Sequence, residues 1–277
     1  MSNSGLLSAG SLPSYDGAKI PSLQPNEQHS NTKPSNTEDN WMTLPLASNC
    51  SPGLEYLTQI DKFYVVKNID RRASKITYII KNGSAQKVYT AVEDYDKCCK
   101  ICCNTTRPFD IRVLDSQERE VLNFHRPLGC QSCWCFCCLQ SVEVTASGVT
   151  CGFIEQSWSL FVSKFRICDA TGKTVLVIKG PYINQIVTKF QIFSSDGKTE
   201  VGNVSALRAM ALQEQFSDVV HFSASFPMDL DVNIKSVLMA ASILIDCLFL
   251  KSAQEIRAIH AAQTGFHLGH CLSMCLH

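Results

Sequence analysis

The stretch SVLMAASILIDCLFL, Ser236 to Leu250, is apolar almost all round and rich in Leu, Ala and Met. A helix with no polar face is either buried in a protein core or set in a bilayer. Its length, about 22 Å at ~1.5 Å per residue, falls short of a ~30 Å hydrocarbon core. Asp246 lies inside it, a costly residue to face lipid, while Lys235 and Lys251 flank its ends as they would flank a span. Both readings stand, and length favours burial.

What surrounds this segment is β in character. KITYIIKNGSAQKVYTAVED from Lys75 reads as strand, turn and strand, with Asn82-Gly83 at the turn. FDIRVLDSQEREVLNFHRP repeats the plan from Phe109, FRICDATGKTVLVIKGP from Phe165 and FQIFSSDGKTEVGNVSAL from Phe190. Each alternates large and polar residues around a polar turn. So many antiparallel hairpins expose bare edges unless the sheet closes, so a barrel or a sandwich is expected. A barrel needs a filling, and the segment at 236–250 is the candidate plug.

The chain has 277 residues, 45% hydrophobic, with formal net charge +0. That balance offers no long-range field for nucleic acid, and none is expected as a partner. Residues 1–51 are rich in Ser, Asn, Pro, Gln and Thr and read as a disordered polar arm, followed by a domain over 52–251 and a variable tail over 252–277. The opening MSNSGLLSAGSLPSYDG has neither a basic n-region nor a long apolar run, and Ser2 stands where myristoylation needs glycine. The expected surroundings are reducing, which disfavours structural disulfides for the 15 cysteines.

Those cysteines are concentrated, above all in CQSCWCFCCLQ, Cys130 to Gln140. Clustered thiols can hold metal or carry acyl chains. Cys99-x-x-Cys102 and Cys130-x-x-Cys133 have zinc-ligand spacing, though outside any recognisable zinc ribbon. Cys151, Cys168 and Cys247 read as small core hydrophobes. The tail offers His267, His270, Cys271, Cys275 and His277, read as a frayed terminus. No G-x-S-x-G, H-E-x-x-H or P-loop occurs, so no enzyme is expected.

GLEYLTQID at 53–61, AVEDYDKCCKICC at 91–103, RPFDIRVLD at 107–115, the cysteine cluster and FPMDLDVNIKSVLMAASILIDCLFL at 226–250 together resemble the phospholipid scramblases. The short, proline-poor arm is similar to that of a short member of the family. The resemblance implies a tubby-like fold, a closed antiparallel β-barrel around a central hydrophobic C-terminal helix. It implies S-palmitoylation at Cys133, Cys135, Cys137 and Cys138, where Trp134 and Phe136 interrupt the family's cysteine run. It also implies calcium-dependent, ATP-independent movement of membrane phospholipids at the cytoplasmic face of the plasma membrane, with anchoring by acyl chains, by the helix or by both. The alternative is a palmitoylated lipid-binding or adaptor module that keeps the barrel without transport, with adaptor proteins as partners.

The family's calcium loop maps onto DVVHFSASFPMD, Asp218 to Asp229. Asp218 and Asp229 keep the carboxylates of positions one and twelve, whereas Val220 and Ser223 replace the carboxylate at three and the glycine at six. Weak calcium binding or none is therefore expected, and an ordinary β connection is the competing reading. Asp229 or Asp231 is expected at the N-terminus of the helix. The family's basic nuclear-import stretch falls at GNVSALRAM, where Arg208 is the lone charge.

Overall fold

The computed structural model describes residues 40–45, 50–70, 72–95, 107–128, 139–182, 189–206 and 220–249. Twelve antiparallel strands form a closed barrel. They are β1 (Lys62–Asp70), β2 (Lys75–Lys81), β3 (Lys87–Asp94), β4 (Phe109–Leu114), β5 (Glu120–Arg126) and β6 (Ser141–Ala146). β7 (Val149–Ser157), β8 (Val162–Asp169), β9 (Thr174–Tyr182), β10 (Lys189–Ser194), β11 (Glu200–Ala206) and β12 (Val220–Ser225) complete it. Each strand pairs with its neighbours in sequence, and β1 pairs with β12 to close the ring, Phe63 opposite Ala224. Closure removes the edges that the hairpins would otherwise expose.

The hairpins expected from the sequence are all present, as β2–β3, β4–β5, β8–β9 and β10–β11. Their alternation is the barrel's inside and outside. In β4, Phe109, Ile111 and Val113 are buried while Asp110 and Arg112 face water.

Helix α1 (Val232–Phe249) fills the barrel. Leu238, Ile243 and Leu244 are wholly buried, each contributing about 1.5–3 kcal/mol by leaving water. The helix begins at Val232 rather than Ser236, because Asp231 caps it. Asp231 Oδ1 accepts from the amides of Asn233 at 2.9 Å and Ile234 at 3.4 Å. Asn233 and Lys235 interrupt the apolar run, which hid the first turn from a reading based on hydrophobicity. Leu250 lies outside the described residues.

Lys235 does not flank a span. It is 1% exposed and donates to the carbonyls of Leu57 (2.9 Å), Ile60 (2.9 Å) and Met228 (2.7 Å). Burial pulls its pKa below the usual lysine value. The first two carbonyls belong to a 3-10 turn, Glu55–Gln59, and the residue that ends it. That turn buries Tyr56 and Leu57 under the barrel, with Tyr56 packed edge-on against Tyr89. Tyr89 also donates to Gly53 O at 2.6 Å. One end of the barrel, called the bottom here, is thus closed by this turn. Within the stretch expected to be a polar arm, Trp41 bridges to Lys87, and Met42 N donates to Lys87 O.

Candidate functional site

The strands alternate in direction, so the two ends of the barrel differ in content. The bottom carries the turns at 82–86, 115–119, 147–148, 170–173 and 195–199. β1, β3, β5, β7, β9 and β11 end at the top, which carries the described connections at 72–74 and 158–161, and α1 ends there.

Just inside the top, the inward-facing register turns from apolar to charged. In β1 it runs Phe63, Val65, Lys67; in β3 Tyr89, Ala91, Glu93; in β5 Leu122, Phe124, Arg126. Arg107 continues the register of Phe109 and Ile111 before β4. Glu93, Arg107, Arg126 and Gln140 are all buried, the first two joined at 2.5 Å. Arg126 Nη2 donates to Gln140 Oε1, and its guanidinium lies 5.4 Å from the Phe109 ring. Burial pushes the Arg126 guanidinium down to about 10, which leaves it charged at neutral pH.

This polar collar meets the last turns of α1. Lys67 Nζ lies 2.7 Å from Asp246 Oδ2, with side chains 5% and 1% exposed. The Tyr78 hydroxyl lies 3.6 Å from Cys247 Sγ. Burial raises the Tyr78 pKa well above its usual value, and the neighbouring Cys247 and Asp246 push the same way. The collar therefore gives the charged part of an otherwise apolar plug a matching wall. Sequence reading marked Asp246 as costly to leave facing lipid but missed the collar that receives it. Its signal was present: a period-two apolar strand ending on a charge, repeated in β1, β3 and β5.

The acylation candidates Cys133, Cys135, Cys137 and Cys138 lie outside the described residues, in the connection between β5 and β6. The zinc-spaced Cys99 and Cys102, between β3 and β4, and Cys130 also lie outside the described residues. Cys151, Cys168 and Cys247 are free thiols in the core, as expected. Among the described residues no cluster of three metal-capable side chains occurs.

For the calcium candidates, Asp218 lies outside the described residues and Asp229 is exposed at the bottom. Positions three to eight of the loop, Val220–Ser225, form β12, an extended run of roughly 20 Å. Phe222 and Ala224 from this run are wholly buried.

The sequence model of the family described as Scramblase matches residues 41–252, which contain the whole barrel and the described helix. Phospholipid scramblase 2 of Bos taurus is 40% identical over 226 residues, 78% of this chain and 77% of that protein. Phospholipid scramblase 1 of Homo sapiens is 40% identical over 223 residues, 76% of this chain and 70% of that protein. Phospholipid scramblase family member 5 of Homo sapiens is 31% identical over 226 residues, 76% of this chain and 83% of that protein. Short-arm similarity is thus not matched by higher identity in the domain. No solved structure matches the chain. The chain belongs to the scramblase family.

Proposed function

We propose that this protein moves phospholipids between the leaflets of the plasma membrane from its cytoplasmic face, without ATP and without covalent chemistry. The observation that carries the reading is the family match over 41–252. Attachment comes from S-palmitoyl groups on Cys133, Cys135, Cys137 and Cys138. One acyl chain gives only marginal binding and two or more hold, so clustered thiols suit the task. Calcium dependence follows from the family resemblance, with Asp218 and Asp229 as the ligands retained. The extended course of β12 between them supports binding no tighter than about 10⁻³ M, the range of the weakest natural modules.

A second reading has its own support. The barrel is filled by α1, from Ile234 to Leu248, and that packing gives a lipid no path through it. The protein is then a membrane-tethered lipid-binding or adaptor module, with adaptor proteins as partners and no transport. Purified full-length protein in vesicles with fluorescent lipid separates the two. Calcium-stimulated loss of leaflet asymmetry without ATP is the outcome expected of the transporter. Equal rates with and without protein favour the adaptor. Replacing the four cysteines by Ser should move the protein from the membrane to the soluble fraction of cells. Full retention would rule out acylation there as the main anchor.

A further inference from the structure

The connection between β7 and β8 is a short hairpin tip, Trp158-Ser159-Leu160-Phe161, at the top of the barrel. Three of its side chains are large, apolar and exposed: Trp158 at 41%, Leu160 at 45% and Phe161 at 67%. Leu128, 50% exposed, follows β5 at the same end. β6 stands between β5 and β7, and Gln156 N of β7 donates to Gln140 O just before β6 begins. The remaining exposed large apolar side chains among the described residues, Leu44, Val149 and Met228, belong to separate segments.

A soluble surface gains nothing from three adjacent exposed apolar groups on one tight tip. The charge pattern behind them bears on what could cover them. Between Glu155 and Asp169 the hairpin has no carboxylate, and it carries Lys164 and Arg166. Arg166 is paired with Glu155 at 2.6 Å. Lys164, opposite Ser157 in the ladder, sits three residues behind Phe161, about 10 Å along the strand. An apolar side chain buried ~5–10 Å into the headgroup and acyl boundary then brings that ammonium to the level of the phosphates. Trp favours this boundary, and Trp, Phe and Leu make up the apolar face of segments that lie in it.

We infer that the tip Trp158-Leu160-Phe161, backed by Lys164, is a bilayer-inserting contact that docks the top of the barrel on a membrane containing anionic phospholipid. It binds the surface without acyl chains and fixes which end of the barrel faces the bilayer. The inference rests on the reading of this protein as one that acts on membrane phospholipids, but not on its transporting them. Its test reads docking alone.

The test uses the full chain expressed in bacteria without palmitate, mixed with vesicles of phosphatidylcholine alone or with phosphatidylserine, and separated by flotation. Wild-type protein should float with the mixed vesicles. The triple variant Trp158→Ser, Leu160→Ser, Phe161→Ser should lose about tenfold or more of that partition, with an unchanged thermal melt. Lys164→Gln should weaken binding to the phosphatidylserine vesicles and leave the weaker binding to phosphatidylcholine unaltered. Brominated lipid should quench tryptophan emission in the wild type, and less so in Trp158→Phe. Phe161→Glu, at the most exposed position of the tip, repeats the test without touching the core. Undiminished flotation of both the triple variant and Phe161→Glu would overturn the inference. So would a wild-type dimer that the triple variant splits while vesicle binding is unaffected, since the tip would then pair with a second copy. Loss of flotation with scrambling retained in acylated protein would uphold the docking contact and separate it from transport.

Discussion

Lys67 Nζ and Asp246 Oδ2 meet at 2.7 Å across 179 residues of sequence, one from the wall of the barrel and one from its plug. Both side chains are almost wholly buried. A buried pair stabilises little over an apolar substitute of the same shape, but removing one partner leaves the other charge in a dry site. Asp246→Leu should therefore cost about 3–5 kcal/mol in chemical denaturation. The double variant Lys67→Met, Asp246→Leu should recover most of that loss. An Asp246→Leu variant as stable as wild type would show that water reaches the pair.

The other end of the plug is tied by Lys235, whose ammonium serves the carbonyls of Leu57, Ile60 and Met228. Lys235→Met keeps the aliphatic stem and removes the donor. The carbonyls left behind make the change destabilising, by about 1–3 kcal/mol. Protection of the amides in the turn at Glu55–Gln59 against hydrogen exchange should fall with it. Unchanged protection would mean that the turn is held by its apolar contacts alone.

Alkali should expose the interior through two phenols. Burial raises the pKa of Tyr78 and of Tyr89 well above the ordinary tyrosine value of about 10 in the folded chain. The folded state thus keeps protons that the unfolded chain gives up near pH 10. The stability these groups contribute is fully present below pH 10 and is lost as pH rises from there through the folded values. Tyrosinate absorbance should show a component that appears only with unfolding, and Tyr78→Phe should reduce it. Tyr89→Phe should reduce it too, and cost about 1 kcal/mol for the lost bond to Gly53 O. A titration complete in the folded state would contradict the burial of both rings.

The fold was legible because each hairpin carries its own signal: alternation on both arms and a polar turn such as Asn82-Gly83 between them. β1, β6 and β7 fell outside the four repeats read from sequence. β12 was hidden beneath the loop register assigned to Asp218–Asp229, since Val220 to Ser225 alternate weakly and contain two serines and a histidine. The plug was visible as an apolar run, but its first turn was not, because Lys235 reads as a surface residue until three carbonyls are found around it. The charged collar depends on strands far apart in sequence. A lone Arg126 or Glu93 at the end of a strand looks like any solvated charge until the barrel closes around it.

Two glycines locate where the wall is tightest. The β6–β7 register shifts between Val144 and Thr145, and Gly152 stands opposite Val144. The β10–β11 register shifts between Ile192 and Phe193, and Gly202 stands opposite Ile192. Glycine in a strand interior commonly marks such a bulge or a close backbone approach. A Cβ on Gly152 would meet the carbonyl oxygen of Cys168 at 2.2 Å, and one on Gly202 that of Ser225 at 2.1 Å. Both obstacles are backbone, so neither can rotate away as a side chain would. Gly172, with nothing within 4 Å of a Cβ, is a turn glycine held by its positive φ of 82°. Alanine at Gly152 or Gly202 must push one strand off its neighbour, and each should destabilise by several kcal/mol or prevent folding. Alanine at Gly172 meets no atom and should cost only about 1 kcal/mol, from the unfavourable backbone angle. Thermal melts of the three variants should therefore split into two severe losses and one mild one. Equal, mild losses at all three would mean that the barrel wall relaxes freely at its bulges.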